Sequence, residues 1–227
     1  MPLSSQLPFD FALHNEFTFN NYLLTGLNDE LVNSLQAEIL PENFYFIWGV
    51  SGSGKSHLLQ AACALHENSV YLPLQLFYSY GMEVLDGLHQ MDFICIDDVQ
   101  LVLGDVLWEE KLFSLFNSCQ ATNSRLIISS ALAPLQLKYF LADLQSRFNS
   151  GVTYQLHELD ENGKMAALRQ RAEAAGIPLK EEVISYIYLR SERSTQKLFS
   201  VLAELDKLSL AEKRKITIPF VKGIMQW

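Results

Sequence analysis

Gly49-Val50-Ser51-Gly52-Ser53-Gly54-Lys55-Ser56 stands directly after the apolar run Phe44-Tyr45-Phe46-Ile47-Trp48. The octet satisfies G-x-x-x-x-G-K-[ST] at every fixed position. The apolar run before it and Leu58-Leu59-Gln60-Ala61-Ala62-Cys63 after it supply the strand and helix that such a loop joins. Glycines here admit positive φ, so successive N–H groups can turn inward on one phosphate. Lys55 can reach the β- and γ-phosphates, Ser56 can ligate Mg²⁺, and the positive end of a helix starting here adds to the anion site. The expected occupant is ADP or ATP with Mg²⁺, held by Gly49, Ser51, Gly52, Ser53, Gly54, Lys55, Ser56 and the adjoining His57.

Further along, Phe93-Ile94-Cys95-Ile96-Asp97-Asp98 is an apolar strand that ends in two carboxylates. In an open parallel sheet the carboxyl ends of the strands meet at the ligand crevice. Asp97 is therefore expected to hold Mg²⁺ directly or through water, and Asp98 to orient or deprotonate a water beside the γ-phosphate.

The remaining pattern alternates strand and helix. Asn28 or Asp29 caps a helix that runs to about Ile39, where Pro41 ends it. Ser69 to Leu74 reads as a strand in which Pro73 marks an edge or an end, followed by a helical segment to about Leu88. Asp105 to Ala121 reads as a helix with Leu107, Leu112, Leu115 and Phe116 as core residues. Arg125 to Ser130 is a buried strand, Pro134 to Phe140 a short helix, and Val152 to Leu156 a last strand. This predicts a three-layer α/β domain with a parallel sheet. Beyond Glu158 the chain becomes helical and charge-rich. Helices are expected from Asp160 or Asn162 to Ala175, from Lys180 to Leu189, from Ser194 to Leu208, and after Thr217. The predicted organisation is a tail over 1–12, the α/β domain over 13–157 and a small all-helical domain over 158–227.

The bulk numbers agree with a folded, non-membrane chain: 227 residues, 49% apolar and 19% charged. No apolar run reaches membrane-spanning length, and Met1 to Phe17 lacks the basic head and apolar stretch of a secretory signal. Cys63, Cys95 and Cys119 are widely spaced in apolar surroundings, which predicts buried free thiols in a reducing cytosol. A net charge of −9 argues against a general nucleic-acid binder. Most Lys and Arg fall beyond Leu156 and read as a solvated helical surface.

A phosphate loop, an acidic strand end, a polar-ended strand and a helical C-terminal domain together resemble an AAA+ ATPase. Four segments resemble the DnaA/Hda family within it: Phe17-Thr18-Phe19-Asn20-Asn21-Tyr22, which in that family borders the adenine; Ile96-Asp97-Asp98-Val99-Gln100, like its Walker B; Ser146-Arg147-Phe148, like its box VII; and Ile216 to Lys222, like the C-terminal end of its regulatory members. The resemblance implies that Phe19 and Tyr22 flank the base. It implies that Arg147 is a finger directed at a neighbouring subunit's nucleotide. Gln6-Leu7-Pro8-Phe9-Asp10-Phe11 resembles the peptide with which the regulatory members dock on the DNA sliding clamp, with Gln6 as polar fixing point and Leu7, Phe9 and Phe11 as apolar anchors.

The family pattern is broken at two places. Ala131-Leu132 stands where an acidic-basic pair serves as sensor 1, leaving Ser129 and Ser130 to hydrogen-bond a phosphate or water. Gln196 stands where sensor 2 has arginine, and cannot supply its cationic fork. The resemblance thus implies a negative regulator of replication initiation with weak or no ATPase of its own. Its partners would be DnaA and the beta subunit of the DNA polymerase III clamp, with DNA reached only through the clamp and no membrane. Its location would be cytoplasmic, at the replisome, and self-association is a further expectation. The chain ends at Trp227, which leaves no room for an initiator's DNA-binding domain. The alternative reading is a DnaC-like helicase-loader ATPase.

Overall fold

Successive strand residues face opposite sides of a sheet, and β1 (Phe44–Trp48) shows the consequence. Phe44 and Phe46 enter one apolar layer, shared with α4 (Val106–Thr122) and α5 (Ala142–Ser150). Tyr45 and Ile47 enter the other, shared with α1 (Asp29–Gln36) and α2 (Lys55–Cys63). Both faces of the sheet are thus covered, which is why the strands read as unbroken apolar runs. The structure is a computed structural model and describes residues 17–24, 26–37 and 42–227.

With β2 (Ser69–Pro73), β3 (Phe93–Asp97), β4 (Arg125–Ser130) and β5 (Val152–Gln155), the sheet has the order β2-β3-β4-β1-β5 and every pairing is parallel. The register sets Pro73 opposite Asp97 and Trp48 opposite Ser130. The loops that leave the strands therefore open along one edge. Pro73 ends the edge strand, as its missing N–H requires.

Three further helices and a fourth follow the sheet: α6 (Glu161–Ala174), α7 (Glu181–Arg190), α8 (Thr195–Glu212) and α9 (Ile218–Met225). Leu168, Ile184, Ile187, Leu198, Leu205 and Val221 give them an apolar core of their own. Asp160, Ser194 and Thr217 each accept a backbone N–H at a helix start.

Several local expectations are corrected. The helix expected to reach about Leu88 is α3 (Leu74–Phe77) followed by three short 3₁₀ turns, because Gly81 (φ 89°) and Gly87 (φ 76°) interrupt it. Leu107 is 57% exposed; the buried stripe of α4 is Trp108, Leu112, Leu115, Phe116 and Cys119. Pro134 to Phe140 contains a single 3₁₀ turn, Pro134–Gln136. Box VII lies within α5. The α1 helix ends at Gln36, and the expected end at Ile39 and Pro41 lies outside the described residues, as do Gln6, Leu7, Phe9 and Phe11. The three cysteines are buried and free. Among the described residues no helix is long and apolar enough to cross a membrane.

Candidate functional site

The loop between β1 and α2 is pinned from below. Gly49 N–H donates to the Ser130 carbonyl (3.1 Å), and a Cβ on Gly49 would collide with the Leu156 carbonyl. Gly52 and Gly54 have φ of 82° and 96°, a region that side-chain-bearing residues avoid. A Cβ on Gly54 would also meet the Tyr22 ring at 2.9 Å. Lys55 is 7% exposed and donates from Nζ to the carbonyls of Gly49 (2.8 Å) and Val50 (3.2 Å). Burial draws its pKa below the ordinary lysine value, opposed by Asp98 and then Asp97.

A cleft of about 730 Å³ opens above this loop, a size suited to a small ligand. Ser51 through His57 line it, with Tyr22, Asp97, Asp98 and Gln196. Gly49 lies beneath it. Phe19 does not line it and packs on the α1–α2 layer instead, while Phe17 stands in the wall.

On the side away from the carboxylates the wall is aromatic. His57 Nε2 donates to the Thr18 carbonyl (2.8 Å), which makes Nδ1 the unprotonated nitrogen of the neutral ring. Its ring lies tilted against Phe17 (4.9 Å) and meets Tyr22 edge-on (5.3 Å). Burial lowers the His57 pKa; the Thr18 carbonyl opposes this and Arg171 adds to it. Burial also pushes the Tyr22 phenol up to about 12. From the helical domain, Arg171 lies 4.8 Å over Phe199 and 6.0 Å over Phe17, so the two domains share this wall.

On the other side Asp97 is buried and accepts a hydroxyl on each oxygen, from Ser129 on Oδ1 and from Tyr71 (2.7 Å) on Oδ2. Asp98 adopts φ 62°, tolerable for Asp, and faces the cleft. Its Oδ1 accepts from Gln100 Nε2 (3.0 Å), and Gln100 Oε1 accepts from Ala131 N–H (3.1 Å). Ser129 also accepts from Asp98 N–H (3.0 Å) and is fully buried. The expectation that Ser129 serves a phosphate is thereby corrected, because its hydroxyl is committed to Asp97. Ser130 is fully buried as well and accepts from Leu132 N–H (3.1 Å).

The fit of the implied ligands can be tested on these groups. The glycine conformations, the buried lysine and the unpartnered Ser53 hydroxyl suit a polyphosphate. Asp97 retains lone pairs beyond its two hydroxyl donors and suits a metal-bound water.

Arg147 sits elsewhere. It is exposed near the end of α5, beside Asn43, Phe44 and Gly151, at the amino ends of β1 and β5. Its guanidinium lies 5.8 Å from the Phe116 ring and 6.0 Å from Phe113, and no carboxylate among the described residues pairs with it. The whole length of the sheet separates it from the chain's own phosphate loop. Sequence reading missed Phe17, Tyr71, Thr195, Arg171 and Phe199. Phe17 opened a segment already singled out; the others are single residues that only the folded chain brings to the cleft.

The family description "Bacterial DnaA ATPase domain" matches residues 79–155, and "Hda, lid domain" matches residues 160–225. Domain III of the Thermotoga maritima replication initiation protein DnaA shares the fold at a TM-score of 0.80 and 22% identity, over 93% of this chain and 96% of that one. AMPPCP-bound DnaA from Aquifex aeolicus matches at 0.70 and 24%, over 87% and 67%. The Thermotoga maritima RuvB Holliday junction branch migration motor matches at 0.64 and 16%, over 88% and 67%. Two family descriptions that meet almost end to end, on a five-stranded parallel fold shared with these proteins, lead to one conclusion: the chain belongs to the DnaA/Hda family of AAA+ proteins.

Proposed function

We propose that this protein is a nucleotide-bound negative regulator of replication initiation, which docks on the sliding clamp and stimulates hydrolysis of ATP held by DnaA. The observation that carries this reading is the separation of its two cationic groups. Lys55 is buried over its own phosphate loop, whereas Arg147 is exposed at the opposite edge, without a carboxylate partner among the described residues. An arginine so presented suits another subunit's nucleotide, where a finger acting in trans is worth roughly 10³–10⁵ in rate.

In this reading Gly52, Gly54 and Lys55 hold ADP or ATP, and Tyr22 and His57 border the base. Ser56 and, through water, Asp97 hold Mg²⁺, which would neutralise phosphate charge. Asp98 retains one oxygen for a water. Ala131 and Gln196 at the sensor positions fit a nucleotide that is kept rather than turned over. It would set the seating of the helical domain on the α/β domain, and with it the surface offered to DnaA. Residues 1–12 would supply the clamp contact, raising local concentration on DNA.

The test is a reconstitution of the purified protein with clamp, DNA and ATP-bound DnaA, following ATP loss. The expected result is faster loss that depends on clamp and on residues 1–12. Unchanged ATP loss, or stimulation that persists at full strength without those residues, contradicts the proposal.

A further inference from the structure

The α8 helix aims its amino end at the phosphate loop. A Cβ placed on Gly52 would lie 3.9 Å from Thr195 N, at the first position of this 18-residue helix. Ser194 satisfies two of the first-turn donors, since its hydroxyl accepts from Lys197 N–H (3.2 Å) and its carbonyl from Leu198 N–H (3.0 Å). The N–H groups of Thr195 and Gln196 have no acceptor among the described residues. Thr195 is 9% exposed, lines the cleft, and its buried hydroxyl has no hydrogen-bond partner. A buried hydroxyl left unpaired is uncommon and calls for a partner. On the facing loop the Ser53 hydroxyl is buried and unpaired too.

The approach of α8 is held in place by Lys164. Its Nζ pairs with Glu158 (2.6 Å), and it donates to the Arg193 carbonyl (2.8 Å) in the turn that enters the helix. The pairing also neutralises the carboxylate that stands 3.9 Å from the same Gly52 position, so the helix end presents positive potential to the loop.

We propose that the first turn of α8 receives the terminal phosphate of a bound nucleoside triphosphate through Thr195 Oγ1 and the N–H groups of Thr195 and Gln196. This takes the place of the cationic side chain that Gln196 lacks, and it rests on the reading of Gly49–Ser56 as a nucleotide site. A neutral hydroxyl and a helix end stabilise an anion without the charge of a guanidinium. The contribution of Thr195 to triphosphate affinity is therefore about tenfold, at the lower end for a hydrogen bond to a charged group.

The experiment is equilibrium binding of ADP and of AMPPCP, each with Mg²⁺, to the full chain. The proteins are the wild type, Thr195→Val, Thr195→Ala and Thr195→Ser. Valine and alanine are expected to weaken AMPPCP about tenfold and ADP less than threefold, and serine to restore AMPPCP to within threefold of wild type. A structural role alone would move both ligands together or neither, so an unchanged AMPPCP-to-ADP ratio in Thr195→Val and Thr195→Ala overturns the proposal. If the wild type binds neither nucleotide, the reading of the loop fails and the proposal falls with it. If the wild type binds both and only the ratio fails to move, the loop reading stands and the role of Thr195 alone is refuted.

Discussion

Lys55 and Arg147 occupy opposite edges of one sheet and are held in opposite ways. Lys55 is 7% exposed and fastened to two carbonyls at 2.8 and 3.2 Å, over a loop in which Gly49 and Gly54 have no room for a Cβ. Arg147 is exposed and leans on two rings at about 6 Å. The first arrangement is complete within the chain: its geometry follows from β1, β4 and β5 and needs only a ligand. The second is an exposed side chain on a well-packed support, since the next residue, Phe148, is fully buried between Phe44, Phe46 and Tyr139. Side chains that serve their own fold are fastened; Arg147 is exposed, and on the proposed function it is presented to another molecule.

The sharpest structural test of that contrast is the pair Phe148→Ala and Arg147→Ala. The first opens a cavity in the core and is expected to cost about 3–5 kcal/mol in denaturant unfolding. The second is expected to stay within about 0.5 kcal/mol of wild type. A large loss from Arg147→Ala would make the arginine structural and break the comparison.

Lys55→Ala is expected to weaken ADP binding about 100-fold in a titration, because it removes a charge-assisted bond to phosphate, and to leave the arginine edge folded. Asp105 accepts from Leu107 N–H (2.9 Å) and Trp108 N–H (3.4 Å) at the start of α4. Asp105→Ala is expected to cost about 1 kcal/mol in the same unfolding measurement without altering ADP affinity. An effect on affinity would show that the two edges communicate through α4.

The smallest effect concerns pH. His57 is held below its ordinary pKa in the fold, so the unfolded chain binds more protons near pH 6. Stability therefore rises with pH through this window and is lost as pH falls below about 6.5 towards the folded value. His57→Gln is expected to flatten that slope in thermal unfolding from pH 5 to 7. An unchanged slope would move its origin to another group, with His66, also lowered chiefly by burial, as the next to test.

Backbone-dictated features were legible from the sequence. The phosphate loop, the strand ending in Asp97-Asp98 and the helix starts at Asp105, Ser194 and Thr217 are local patterns; at the start of α6 the sequence offers both Asp160 and Asn162, and the folded chain uses Asp160. What escaped was set by tertiary neighbours. Phe19 and Phe17 are two apart in one aromatic segment, and only packing against α1 and α2 decides which turns inward. The segment after Leu74 reads as helical to about Leu88, yet Gly81 and Gly87 take positive φ and break the run. Ser129 reads as a free polar strand end, and its commitment to Asp97 appears only when β3 and β4 lie side by side. Tyr71, Thr195 and Arg171 carry no motif; they become site residues because the helical domain and the edge strand close over the loop.

The proposed action of Arg147 on another protein's nucleotide is measured directly by ATP loss from DnaA in the presence of clamp and DNA with Arg147→Ala. Normal folding, normal ADP binding and normal clamp association are expected, with stimulation reduced by roughly 10³-fold or to background. Wild-type stimulation by Arg147→Ala would contradict it.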